Sequence, residues 1–143
     1  MQKEFRNHIN SVRSFLNENA DLYSKESEMF AASVSVIIGG KILKQGFQRV
    51  GQKREGSHFI NEYRNGLNTG IITQVHFKGD SVEVFFKLQL HDRPITDSEK
   101  DRINNEYSGL FAGIMSDIQS KIDSGEFSHL NRDFKVDYHI DKL

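Results

Sequence analysis

The hydrophobic positions at the start of the chain recur at steps of four and three. Phe5, Ile9, Val12, Leu16 and Tyr23 fall on one face of an amphipathic helix beginning near Lys3. Asn17, Asn19 and Asp21 are poor interior residues for a helix and mark its end. From Phe30 the period changes to two, with Phe30, Ala32, Val34, Val36 and Ile38 apolar and Ser33 and Ser35 between them. That alternation predicts a strand, and Gly39-Gly40 predicts a tight turn with Lys41 to Phe47 returning antiparallel. Phe30, Val34, Ile37 and Lys41 also fit helical spacing, so a helix over the same segment stays open as the alternative.

The middle of the chain reads more simply. A strand is expected around His58 to Tyr63, then a loop from Asn65 to Gly70. Ile71, Thr73, Val75 and Phe77 alternate with Ile72, Gln74, His76 and Lys78. After a turn at Gly79 and Asp80, Val82, Val84, Phe86, Leu88 and Leu90 alternate with Glu83, Phe85, Lys87 and Gln89. Each strand therefore has one face for a core and one mostly polar face. The only proline, Pro94, closes this region, and Thr96 with Glu99 forms a capping box for a long helix near 97–124. Its apolar stripe is Ile103, Tyr107, Leu110, Ile114, Ile118 and Ile122, widened by Phe111 and Met115, and Gly125 is the expected stop. A last strand turns Phe134, Val136, Tyr138 and Ile140 inward and Lys135, Asp137 and His139 outward.

This order predicts an α+β fold: a two-layer single domain over 1–143. Its antiparallel sheet of about five or six strands is covered on one face by an N-terminal helix and the long helix. No βαβ alternation or internal repeat is expected. If the outer sheet face has no cover, Phe85 and Ile72 are exposed among polar neighbours, which points to a homo-oligomer formed through the sheet or its edges. Gly109 and Gly113, four apart on the long helix, suggest close packing against the sheet or against a second copy.

Composition narrows the class. There is no cysteine among the 143 residues, which removes disulfides, thiolate metal sites and thiol nucleophiles and suits a reducing compartment. The first 20 residues carry no apolar stretch of signal-peptide length, and Met29 to Ile38 is too short to span a bilayer, so the expectation is a cytoplasmic chain with no membrane contact. The asparagine-rich, lysine-rich, proline-poor composition suits a small bacterial or phage protein. Eleven Phe predict an aromatic core.

The net charge of -1 is unevenly spread. Lys41, Lys44, Arg49, Lys53, Arg54 and Arg64 face only Glu55 and Glu62 between positions 41 and 64, a local excess of four positive charges on an otherwise acidic body. Within this band Gly46, Gly51 and Gly56 are interleaved with Arg49, Lys53, Arg54, Ser57 and His58. Glycine lets backbone N–H groups approach a ligand and arginine offers forked donors, so the segment suits a small anionic ligand, above all a nucleotide stacked on Phe47 and gripped also by Arg64. Neither the Walker nor the dinucleotide spacing is present, and a solvated hairpin loop explains the same residues. The acidic total charge argues against duplex nucleic acid.

Catalytic and metal signatures are sparse. Asp137, His139 and Asp141 share a strand face, with His76 as a fourth candidate on another outward face, but polar alternation alone predicts them. His91 and Asp92 at a strand end have acid–base chemistry without a motif around them. No cofactor is expected. The leading expectation is thus a non-catalytic protein that holds or sequesters an anionic ligand; a protein-interaction module such as an inhibitor or immunity-type protein is the alternative, and a small enzyme comes third.

Overall fold

The computed structural model describes residues 25–66, 69–91, 94–130 and 132–143. The expected helix from Lys3 lies outside the described residues. Helix α1 is described over 25–43 and is followed by β1 (Gln48–Glu55), β2 (His58–Asn65), β3 (Thr69–Lys78) and β4 (Ser81–Leu90). Helix α2 (Asp97–Asp123) then leads through a short 3-10 turn to β5 (Lys135–Asp141). The strands form one sheet in chain order, β1-β2-β3-β4-β5, antiparallel except for the last pair. The architecture is α+β, with helices flanking a mostly antiparallel sheet.

Two corrections concern local structure. The segment 30–38 is helical, so the expected strand, the Gly39-Gly40 hairpin and the return strand to Phe47 are replaced by α1 and a short turn. A period of two and a helical step of four share every second apolar position, and Phe30, Val34 and Ile38 satisfy both. Val36 decides between them: it is 72% exposed, while Ala31 and Ile42, which only the helical spacing brings to the same face, are fully buried. The second correction is that β5 runs parallel to β4, because α2 carries the chain back across the sheet in a β-α-β crossover.

Both helices pack on one sheet face, and their buried side chains form one core with those of the strands. From α1 come Phe30, Val34, Ile38 and Ile42; from the sheet Tyr63, Ile71, Val75, Val84 and Phe86; from α2 Phe111, Ile114 and Ile118. Phe30 stacks on Phe134 with centroids 4.3 Å apart and meets the Phe127 edge at 4.9 Å; Phe86 stacks on Phe111 at 4.2 Å. Helix α2 starts as its capping box predicts, with Glu99 N–H donating to Thr96 Oγ1 at 3.1 Å. It ends in a Schellman motif in which Gly125 takes φ 84° and Glu126 N–H donates to the Lys121 carbonyl at 3.1 Å. Gly109 and Gly113 lie on its exposed side, so neither serves the expected contact with the sheet.

Helix α1 is seated by a close approach. A Cβ on Gly39 would stand 2.8 Å from the hydroxyl of the fully buried Tyr63 and 3.1 Å from an Arg49 guanidinium nitrogen, whereas one on exposed Gly40 would meet nothing within 4 Å. The two neighbours therefore respond oppositely to alanine. Gly40→Ala should stabilise by about 0.5–1 kcal/mol through helix propensity. Gly39→Ala should cost about 1–2 kcal/mol through overpacking that outweighs the same gain. Thermal melts of the two variants check this; a turn at these positions would instead make Gly40→Ala destabilising.

Candidate functional site

Because side chains alternate across a strand, the residues that build the core leave an opposite set on the outer face of the sheet. The pairing register arranges that set in rows running from β1 to β5. One row is Glu55, His58, His76, Glu83 and Asp137; the next is Lys53, Ile60, Gln74, Phe85 and His139; the third is Gly51, Glu62, Ile72, Lys87 and Asp141. Ile60, Ile72 and Phe85 form a half-exposed apolar centre. Among the described residues the face carries Lys53, Arg64, Lys78, Lys87 and Lys135 against Glu55, Glu62, Glu83, Asp137 and Asp141, so it has no net charge.

Two ring pairs stand on this face. His58 and His76 stack across β2 and β3 with centroids 4.1 Å apart and planes within 6°, and Phe85 stacks on His139 at 5.2 Å. The Gln74 side-chain amide lies within hydrogen-bonding distance of His58 Nδ1. Burial holds the His76 pKa below 6.5, the neighbouring His58 lowers it further, Glu83 opposes the shift and Lys78 adds to it. Beside the rings, Ile72, Gln74, Phe85, Lys87, His139 and Asp141 line an open groove of about 390 Å³.

The structure does not bring the basic segment together as one grip. Phe47 is 4% exposed and packs edge-on against Tyr107, so its ring is in the core. Arg49 and Arg54 lie on the helix side of β1, over the rings of Tyr63 and Phe59 respectively, and Arg54 is ion-paired with Glu28 of α1. Lys53, His58 and Arg64 lie on the outer face, with Lys53 2.9 Å from Glu55 and Arg64 3.9 Å from Glu62. Ser57 occupies the β1–β2 turn, where its carbonyl accepts from Phe77 N–H at 3.1 Å. Lys41 reaches Asp117 on α2 at 3.1 Å. Strand alternation thus divides the cations between two faces, and carboxylates distant in sequence neutralise two of them, Lys41 and Arg54.

The remaining candidates are separate. Asp137, His139 and Asp141 do share the outer face of β5, but among the described residues no group of three metal-ligating side chains is close enough to hold an ion. Asp92 lies outside the described residues. His91 borders a second hollow of about 190 Å³ with Arg102, Glu106 and Tyr107, its Nε2 buried and without a hydrogen-bond partner among the described residues. Burial, reinforced by Glu106, pushes the Tyr107 hydroxyl above its usual pKa and makes it harder to ionise. Among the described residues no helix is long and apolar enough to cross a membrane.

No family model, curated protein or solved structure matches this chain. Sequence reasoning missed the His58–His76 pair because facing positions follow from register. The signal was the outward alternation of His58 and His76, which becomes a contact once β2 and β3 are aligned.

The lowered pKa of His76 has a pH signature. The fold favours the neutral ring, so below 6.5 the unfolded chain binds more protons. This contribution is present above pH 6.5 and is lost as pH falls through the lower folded value. His76→Gln should therefore lose less melting temperature than the parent between pH 8 and pH 5, as calorimetry would register. Equal losses would remove His76 as the source.

Proposed function

We propose that this chain is a non-catalytic protein-interaction module whose contact surface is the outer face of the sheet. The observation that carries this reading is the composition of that face: an apolar centre of Ile60, Ile72 and Phe85 ringed by charges of both signs that sum to zero. Protein interfaces have this anatomy, an apolar core within a polar rim whose charges select the partner. A phosphate-rich ligand would call for an excess of positive charge, and the cations of the 41–64 band are largely engaged with carboxylates. The cysteine-free composition suits a reducing compartment, and we assign the module to the cytoplasm on that ground.

One observation favours a nucleotide as a second reading. The Phe85–His139 ring pair, the Gln74 amide and the Lys87 ammonium meet in the 390 Å³ groove, where a base could stack and a phosphate could be paired.

A photo-crosslinker in place of Ile72 or Phe85 in producing cells should give covalent adducts of discrete mass, while one in place of Ala112 on the exposed side of α2 should not. Adducts from all three positions, or from none, would sink the interaction reading. In parallel, ATP, GTP and short oligonucleotides should leave the melting temperature unchanged. A ligand at one hundred times its dissociation constant adds about 2.7 kcal/mol, so a clear upward shift would restore the nucleotide reading.

A further inference from the structure

We propose that the occupant of the outer face is a second copy of this chain, packed sheet to sheet about a two-fold axis that runs along β3. The inference rests on the interaction reading above and names its partner. A half-turn about such an axis lays β3 over itself and sets β2 of one copy over β4 of the other, row for row. The register places Ile60 and Phe85 in one row on either side of Gln74, Glu62 and Lys87 on either side of Ile72, and His58 and Glu83 on either side of His76. After the half-turn Ile60 meets Phe85, Glu62 meets Lys87, His58 meets Glu83, and Ile72 meets its own copy. Each of these β2–β4 pairs sets apolar against apolar or polar against polar. Each occurs twice.

The opposite choice of axis is poorer. A half-turn about the row through Gln74 would set apolar Ile72 against His76 and Glu62 against His58, with its like-charged pairs, Lys53 with Lys53 and Asp137 with Asp141, on the edge strands. With the axis along β3, the like-charged pairs are Glu55 with Asp137, on the two edge strands, and Lys78 with its own copy, at the exposed end of β3; both lie at the rim, where solvent screens them. Aligned sheets pack about 10 Å apart with strands within about 30° of one another, a rotation that displaces edge strands more than those beside the axis. The β2–β4 pairs are therefore the ones preserved.

Area also permits a stable pair. Five strands about 4.8 Å apart and eight or so residues long at about 3.3 Å each cover roughly 24 by 27 Å. Two such faces bury about 1,300 Å², within the range of specific interfaces.

Sedimentation equilibrium on the whole chain tests this. The parent should sediment at twice the chain mass, and Phe85→Glu should be monomeric with an unchanged circular dichroism spectrum. Glu62→Lys should weaken association about ten-fold or more, and adding Lys87→Glu should restore it, because the exchanged charges meet again across the axis. Glu62 and Lys87 are surface residues, so both charge variants keep the core intact if Phe85→Glu does not. A parent that stays monomeric at high micromolar concentration, or a dimer indifferent to both single variants and their combination, would overturn the proposal. The crosslinking masses separate the two levels: adducts of twice the chain mass support self-association, adducts of another mass leave the interaction reading standing without it, and no adducts remove both.

Discussion

Burial on one side of the sheet is the constraint from which the rest of this structure follows. Two amphipathic helices and one turn of chain after α2 all direct their apolar side chains at the same sheet face. Tyr63, Ile71, Val75, Val84 and Phe86 must therefore point to that side, and period-two alternation sends Ile60, Ile72, Gln74 and Phe85 to the other. The proposed contact surface is what that alternation leaves. A sheet covered on both faces would show longer apolar runs in its central strands, as buried parallel sheets do. Here the central strands are mixed outside and mostly apolar inside, with Ile60, Ile72 and Phe85 giving the outer face its apolar centre.

The helix side also explains what became of the basic segment. Helix α1 crosses the sheet within reach of β1, so Arg54 lies over Phe59 and pairs with Glu28, while Asn61 of β2 donates to the Ser35 hydroxyl at 3.2 Å. Ser27 of α1 donates to the Gly79 carbonyl in the β3–β4 turn. These contacts orient the helix rather than stabilise it strongly, since half-exposed ion pairs contribute only about 0–1 kcal/mol. The larger contribution is the apolar burial beneath them. Charges that read as a ligand-binding band along the chain thus serve partly as fasteners between layers.

Crossover through α2 sets the other boundary of the outer face. By returning the chain beside β4 in parallel, it adds Asp137, His139 and Asp141 to the face and supplies His139 to the ring of Phe85. The crossover is held at both ends, by Phe134 against Phe30 and by Asn104, which accepts from Leu143 N–H at 2.9 Å. The outer face is consequently assembled from five strands of which the last is separated from its neighbour by the whole length of α2. Its neutral charge balance is a property of that assembly.

Sequence alone determined the class of fold, the β2–β4 meander, the long helix with both of its caps, and the inward and outward sets of the central strands. These are local or strictly periodic signals, with partners one turn or two residues away. Only the tertiary structure decided that 30–38 is helical, because Phe30, Val34 and Ile38 satisfy both periods and the choice lay in whether a layer existed to bury Ala31 and Ile42. It alone decided the parallel placement of β5, which depends on where a crossover lands. The fate of Lys41 and Arg54 was equally invisible: charge composition can be counted along a chain, but the carboxylates that meet these two cations, Asp117 and Glu28, are brought to them by layer packing.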